Sequence, residues 1–491
     1  MPRISLQRIL VGPLPAAEIR HDVLLLVATW LIVCADIAGA GYEFSDLRRD
    51  GELAQIKTTM RVSGVLTIDE QPEAAVGLAD QRKSVGMAAL TTMEFSERLS
   101  ERGAAEQGRK FDSIRHYHRA AANLDVGGEI VSTELGDENR LIAVRLRAHR
   151  QELYSVHGNL TRWELDFLES PATTLDLYGL LPVGEVEVGD HWDPADITVA
   201  RFLNLDAVSR NQCQCELLSV NDDIAVVKLS GRVVGSAKGM ATEIEFSGDY
   251  RFDLVWQRIN WCHLELQEQR AGGYSEPAFK IEAVVRVRIS PLSAKSPPAQ
   301  TLLDVTGVEG RGNLSLRFAD RGHEYTFLHD RRWYVTDDRT KSTTLRLVDN
   351  EDLIAQCHIS RLNDFPAGSQ LGLEEYQEDI KRSLGDNFGQ FESARQDTRE
   401  DEYRVLRVSA LGTVSDVPVR WVYYHITSSD GHRAAFMVSS EVDKVEVLAD
   451  SDRLLADSFL FTPSTSTREP SEDDSEPTQV SRSNKTETNP Q

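Results

Sequence analysis

Cys213-Gln214-Cys215 and Cys262-His263 are the residues whose types and spacing come closest to chemistry. Thiolates two apart on a strand share a face, and a second strand could bring Cys262 beside them. Zinc would need four such ligands at tetrahedral distances. Adjacent Cys262 and His263 point to opposite faces of a strand, so both can ligate only at a bulge. Three arrangements stay open: a disulfide from Cys213 or Cys215 to Cys262, free buried thiols, or a metal site. Cys357 lies on a predicted buried strand and reads as core.

Other candidates have structural explanations. Arg115-His116-Tyr117-His118-Arg119 places two imidazoles on one strand face, but no third ligand is near in sequence and a solvated face accounts for them. Asp190 and Asp193 flank His191-Trp192; a Gly189-Asp190 turn and a helix start at Asp193-Pro194 explain both carboxylates without acid–base work. Trp192 is expected to anchor that turn. Gly307-Val308-Glu309-Gly310-Arg311-Gly312 lacks the spacing and the lysine of a phosphate loop. G-x-S-x-G, H-E-x-x-H and EF-hand patterns are missing. Trp421, Tyr423 and Tyr424 are the candidates for a binding surface; with Trp333 they read as core and surface of one sheet. No residue reads as catalytic and no cofactor is implied.

The elements that would hold these residues are mostly strands. Ile244, Phe246, Tyr250, Phe252, Leu254 and Trp256 alternate with polar residues, as do Ile281, Ala283, Val285, Val287 and Ile289. Period-two alternation buries one face and wets the other, the antiparallel pattern. Further strands read at 53–67, 85–96, 115–126, 140–148, 213–220, 223–234 and 258–268, with turn signals such as Asn221-Asp222-Asp223 between them. Consecutive strands with short turns predict a large curved sheet or open barrel. Thr161-Arg162-Trp163-Glu164 is a capping box that starts a helix over 161–168. Helices near 172–180 and from Pro194 complete a set that should cover the concave face. The C-terminal part reads as strands at 314–318, 325–328, 333–336, 343–348 and 353–359, a helix over 371–384 stopped by Gly385, strands at 402–410, 417–427 and 432–439, and a closing helix over 442–457. The fold class is α+β: a β-rich region, 41–290, and an antiparallel sheet with packed helices, 302–462. A Pro/Ser-rich linker of extended character, 291–301, joins them.

Composition sets the surroundings. The chain has 491 residues, a net charge of −24 and 41% apolar residues. That apolar share excludes a wholly disordered chain, and the acidic balance excludes nucleic acid as a partner. Arg3, Arg8 and Arg20 precede an apolar run from Val23 to Ala35, and Ala38-Gly39-Ala40 supplies a cleavage pattern. The run is short for a membrane span, so residues 1–40 read as a cleaved signal peptide, with an uncleaved anchor as the alternative. Once it is removed, no transmembrane anchor is expected, and the protein is periplasmic or extracellular. Residues 463–491 form a Ser/Thr/Pro/Glu tail expected to be disordered.

The order Phe327-Leu328-His329-Asp330-Arg331-Arg332-Trp333, Ile354-Ala355-Gln356-Cys357, the helix Leu373–Leu384, then Val419-Arg420-Trp421-Val422-Tyr423-Tyr424 and a final helix resembles the fold shared by PsbP and Mog1 proteins. With Leu181-Pro182-Val183-Gly184-Glu185-Val186-Glu187-Val188-Gly189-Asp190-His191-Trp192, the whole chain also resembles a group of exported bacterial two-domain proteins. Fold likeness brings no function with it. The expectation is an exported, non-catalytic accessory or binding protein with a protein or cell-envelope partner. The alternatives are a carrier of an apolar ligand or lipid, and a hydrolase assembled from distant residues.

Overall fold

A computed structural model describes residues 41–45, 51–69, 82–100, 112–147, 150–305, 314–350, 352–366 and 369–462. The expected signal peptide, the glycine-rich segment 307–312 and the C-terminal tail lie outside these residues. The N-terminal strands are β1 (Tyr42–Glu43), β2 (Leu53–Asp69), β3 (Arg82–Leu99), β4 (Ser113–Val126), β5 (Glu129–Glu134), β6 (Leu141–Leu146), β7 (Gln151–Ser155), β8 (Glu185–Val186) and β9 (His191–Trp192). They continue as β10 (Ala207–Asn211), β11 (Gln214–Asn221), β12 (Ile224–Ala237), β13 (Met240–Asp253), β14 (Arg258–Arg270) and β15 (Ala278–Pro291).

All but β1 and β8 join one antiparallel sheet in the order β7-β6-β4-β3-β2-β15-β14-β13-β12-β11-β9, with β5 on β4 and β10 on β12. Two meanders are thus zipped together where Ala54–Thr67 of β2 pair the whole of β15. Hairpin turns set the register: Asp222 and Asp223 both take positive φ between β11 and β12, as the tight primed turns require. Three short helices cover one face: α1 (Arg162–Leu168), α2 (Thr174–Leu177) and α3 (Asp196–Phe202). The capping box at Thr161 and Glu164 is present. Leu165, Leu168, Leu175 and Phe202 pack in one core with the inward strand residues Ile56, Phe246, Leu264 and Val287.

The linker expectation needs correction. β15 runs through Pro291, and Pro297–Leu303 forms a helix, α4, with proline in its first turn, where a missing N–H costs nothing. Ala299 and Leu302 bury against Leu53, Ile114, Leu141 and Tyr154. Two apolar residues at helical spacing outweigh the extended character of the Ser/Pro composition.

The C-terminal part holds β16 (Leu316–Ala319), β17 (Tyr325–His329), β18 (Trp333–Arg339), β19 (Ser342–Asp349), β20 (Asp352–Leu362), α5 (Leu373–Leu384), β21 (Phe388–Thr398), β22 (Arg404–Val414), β23 (Val417–Thr427), β24 (Arg433–Glu441), α6 (Val445–Leu448), α7 (Ser451–Asp457) and β25 (Leu460–Phe461). Seven strands form the sheet β18-β19-β20-β24-β23-β22-β21, and β16-β17-β25 form a smaller one. Gly385 ends α5 at φ 53, as expected. The single closing helix is instead two, broken at Ala449 with φ 49. α5 covers one face of the seven-stranded sheet through Tyr376 and Ile380 against Leu406 and Val408. α7 and β17 cover the other, with Leu455 and Phe327 against Val422, Tyr424 and Phe436. The architecture is the expected α+β one. The two parts touch: the Arg317 amide donates to the Leu160 carbonyl (2.8 Å), and the Arg331 guanidinium reaches the Leu153 and Leu314 carbonyls. Among the described residues no helix is long and apolar enough to cross a membrane.

Candidate functional site

Among the described residues, the helices cover only half of the large sheet's inward face. On β2 the inward positions begin at Ile56, 0% exposed, and pass through Thr58 and Val62 to Ile68, 40% exposed. On β15, Ile289, Val287, Val285 and Ala283 are buried, whereas Ile281 and Phe279 are half-buried. On β3 the change falls between Met93 and Met87, and on β4 between Ala120 and Leu124. Register makes these uncovered residues neighbours: Leu66 lies opposite Val85 and Phe279, Val126 opposite Met87, and Leu124 opposite Ala89. The result is a trough of aliphatic and thioether side chains across β15, β2, β3 and β4. Four strands at their usual spacing make it about 14 Å wide.

One wall of the trough is charged. Glu268 and Arg270 occupy inward positions of β14, where Leu264 and Leu266 precede them. They pair at 2.6 Å, and the Arg270 guanidinium lies 4.8 Å from the Phe279 ring centre. The chain of charges continues from Arg270 to Glu276 (3.6 Å), to Lys238 (2.5 Å), and to Asp166 on α1 (3.2 Å). Burial disfavours the Lys238 ammonium, but Asp166 and Glu276 outweigh it and hold its pKa above the ordinary value.

Beneath the helices the filled half contains a second polar cluster. Glu97 accepts from Ser113 Oγ and Arg115 Nε, both at 2.8 Å, and Arg115 also donates to Thr174 Oγ1 at 3.3 Å. Burial opposes the Arg115 charge, and Glu97 more than restores it. A cavity of about 10 Å³ beside Thr58, Arg115 and Thr174 has room for about one water. The cluster ties α2 to the sheet.

The thiols do not assemble as a disulfide with Cys262. Cys213, Cys215, Cys262 and Cys357 are free and buried. Cys215 is on β11 and Cys262 on β14, so two strands separate them, on the order of 14 Å along the sheet. A disulfide needs Cα atoms within about 7 Å. Cys213 lies beside Cys215, whose thiol is pushed up by that contact and by burial; burial pushes the Cys262 thiol up to about 12. His263 points outward, 3.7 Å from Asp249 and 3.6 Å from Glu265, so the four-ligand set does not form either. Native protein should leave these four thiols unalkylated by iodoacetamide, and guanidinium should expose all of them. Peptide mass mapping reads the difference; rapid labelling without denaturant would refute the burial.

The remaining candidates occupy structural positions except Asp193, which is exposed: α3 starts at Asp196 with Ala195 before it, not at Asp193-Pro194. His116 and His118 meet edge-to-face, with ring centres 5.0 Å apart. Ser96 Oγ donates to Gln55 Oε1 (3.1 Å), so His118 Nε2 carries the proton it gives to Ser96 Oγ (2.8 Å). Asp190 accepts from the Glu187 amide in the Gly189 turn, and Trp192 Nε1 donates to the Leu180 carbonyl (2.8 Å), anchoring it. Trp421, Tyr423 and Tyr424 are not one surface: alternation sends Tyr424 to the opposite face from the other two. Trp421 and Tyr424 are buried, Tyr423 is half-buried against the α5 cluster, and Tyr424 Oη donates to Asp452 (2.6 Å). The charged wall was missed in sequence. Its signal was the continuation of the inward alternation of β14 into Glu268 and Arg270.

No protein-family model matches the chain, and no curated protein matches it. Among solved structures it is similar to cyanobacterial PsbP (CyanoP) from Synechocystis sp. PCC 6803, at 17% identity and a TM-score of 0.25, over 32% of this chain and 98% of that one. A PsbP-like match thus spans about a third of the chain. The translocator domain of the autotransporter NalP from Neisseria meningitidis matches at 8% identity and a TM-score of 0.11, over 86% of this chain and 95% of that one. Likenesses of this size carry no argument about activity.

Proposed function

We propose that this chain is an exported, non-catalytic binding protein of the bacterial envelope whose trough carries an apolar ligand, the aliphatic chain of a lipid. The observation that carries the reading is the apolar half of the inward face that no described element covers, continuous with a filled core. An uncovered patch of this kind on a soluble sheet is costly unless something occupies it. Its lining offers methyl, methylene and thioether groups and one ring, which suits a chain rather than a polar metabolite. Each methylene moved from water into such a lining contributes about 0.8 kcal/mol. The basic, apolar and small-residue pattern of residues 1–40 supports export. We further assign the C-terminal part to the PsbP/Mog1 fold and the whole chain to the exported two-domain group it resembles.

Fluorescence titration with cis-parinaric acid tests the binding. The native protein should give saturable enhancement at one site. Met87→Asp places a carboxylate on the floor and should weaken binding at least tenfold, about 1.4 kcal/mol, with secondary structure retained. Enhancement that is absent, or indifferent to Met87→Asp, refutes the proposal.

A further inference from the structure

We infer that the ion chain from Asp166 through Lys238 and Glu276 to Arg270 is a latch: it holds α1 over the covered half of the inward face beside the trough, and its release lengthens the site. This inference rests on the binding reading above and adds how ligand length is set. α1 is fixed at its N-terminal end. Glu164 accepts from the Gly136 amide and from Asn139 Nδ2, both at 3.0 Å. Arg162 donates to the Arg331 and Trp333 carbonyls and lies 4.5 Å from the Tyr334 ring centre. At its C-terminal end the described polar ties are fewer: Lys238 to Asp166, Asn204 Nδ2 to the Glu169 carbonyl at 3.2 Å, and the attraction of the Glu169 carboxylate to Lys238 and Arg331. Lys238 sits in the β12–β13 turn, with φ 49, and Glu276 in the β14–β15 connection. The bridge therefore joins a helix tip to two hairpin ends rather than bracing one element.

The surface under that tip is more of the same lining. Phe167 and Leu168 cover inward positions that share a core with Ile281 and Met87 of the open half. Swinging the tip away about the fixed end would join the two halves. An aliphatic chain could replace Phe167 and Leu168 against the sheet, methylene for methylene. Charge pairs that are only partly buried suit a catch that opens, because water solvates each partner once they separate.

Two readouts separate the latch from the binding reading. Hydrogen exchange on the unliganded full chain follows the Glu169 amide at the swinging end, which bonds to the Leu165 carbonyl, with the Leu165 amide, bonded to the Thr161 carbonyl at the fixed end, as reference. Lys238→Met should speed the Glu169 amide at least fivefold, Lys238→Arg should not, and the Leu165 amide and the Leu203 amide of α3 should be unchanged in both. Competition against cis-parinaric acid then compares decanoate with hexadecanoate. Lys238→Met should shift preference toward hexadecanoate at least threefold. Unchanged Glu169 exchange in Lys238→Met overturns the latch. Faster exchange with no shift in chain-length preference overturns the lengthening. Failure of the native protein to bind any of these probes removes the carrier reading, while the exchange result still decides whether the bridge restrains α1.

Discussion

Replacing Glu97 by alanine should destabilise the protein by about 3–5 kcal/mol, the largest single effect expected in the N-terminal sheet. Glu97 and Arg115 are 1% and 2% exposed. Their attraction repays their desolvation only while both are present. Without the carboxylate, the guanidinium keeps a 3.3 Å bond to Thr174, its contact with the Tyr117 hydroxyl and a ring contact with Phe95 at 5.2 Å, and only the buried Asp176 is left to balance its charge. Ser113 Oγ loses its acceptor as well. For a unit of this size the loss corresponds to a melting point lower by about 10 °C. Calorimetry of Glu97→Ala and of the double variant Glu97→Met with Arg115→Met checks the cause. Replacing the whole pair by apolar side chains should recover most of the loss. A single variant within about 1 kcal/mol of the native protein would show that the pair is dispensable.

Acid should destabilise the protein through its buried histidines. Burial lowers His329 and His425 from 6.5 to about 4; Arg162 adds to the effect at His329, and Arg433 and Arg404 at His425. Hydrogen bonding supports the neutral form. Arg433 Nε donates to His425 Nε2 (3.1 Å), so that nitrogen must be bare and Nδ1 carries the proton toward Thr427 Oγ1 (3.3 Å). An imidazolium could not accept from Arg433. Between pH 6.5 and 4 the unfolded chain binds protons that the folded chain refuses, so stability falls as pH falls through that window and the contribution is gone below about 4. Each histidine accounts for about 3 kcal/mol in total, at about 1.4 kcal/mol per pH unit. His116 and His118 shift in the same direction, by burial first. Urea unfolding at pH 7, 6, 5 and 4.5 gives the slope. His425→Gln and His329→Asn should each flatten it by about one proton. A slope unchanged by both would mean that the imidazoles are solvated in the folded state.

Particular residues show why the fold was legible and the site was not. The alternation of Ile244, Phe246, Tyr250 and Phe252 follows from backbone geometry, since successive side chains on a strand must face opposite ways. Asp222-Asp223 sets a hairpin because those residue types tolerate positive φ. The Thr161/Glu164 box starts α1 because the two side chains satisfy amides within a single turn. β21, unread in the sequence, has a pattern blurred by two bulges and an exposed edge. The Trp421, Tyr423 and Tyr424 expectation failed because aromatic composition does not say which face a helix covers. α5 and α7 seal opposite sides of that sheet. Of the three arrangements left open for the thiols, strand order excludes the disulfide to Cys262: Cys215 and Cys262 each read as strand residues, yet β12 and β13 lie between them.

The sequence by itself determined which segments become strands, which start helices and which side chains turn inward, because these depend on contacts within a few residues. Only the tertiary structure decided how far α1–α3 reach across the sheet, and thus that Leu66, Met87 and Leu124 are left half-buried by the described elements while Ile56, Met93 and Val287 fill a core. It also brought Asp166, Lys238 and Glu276 together from three distant segments. The physical reason is that burial and ion pairing depend on which surfaces meet, and local spacing along the chain carries no record of that.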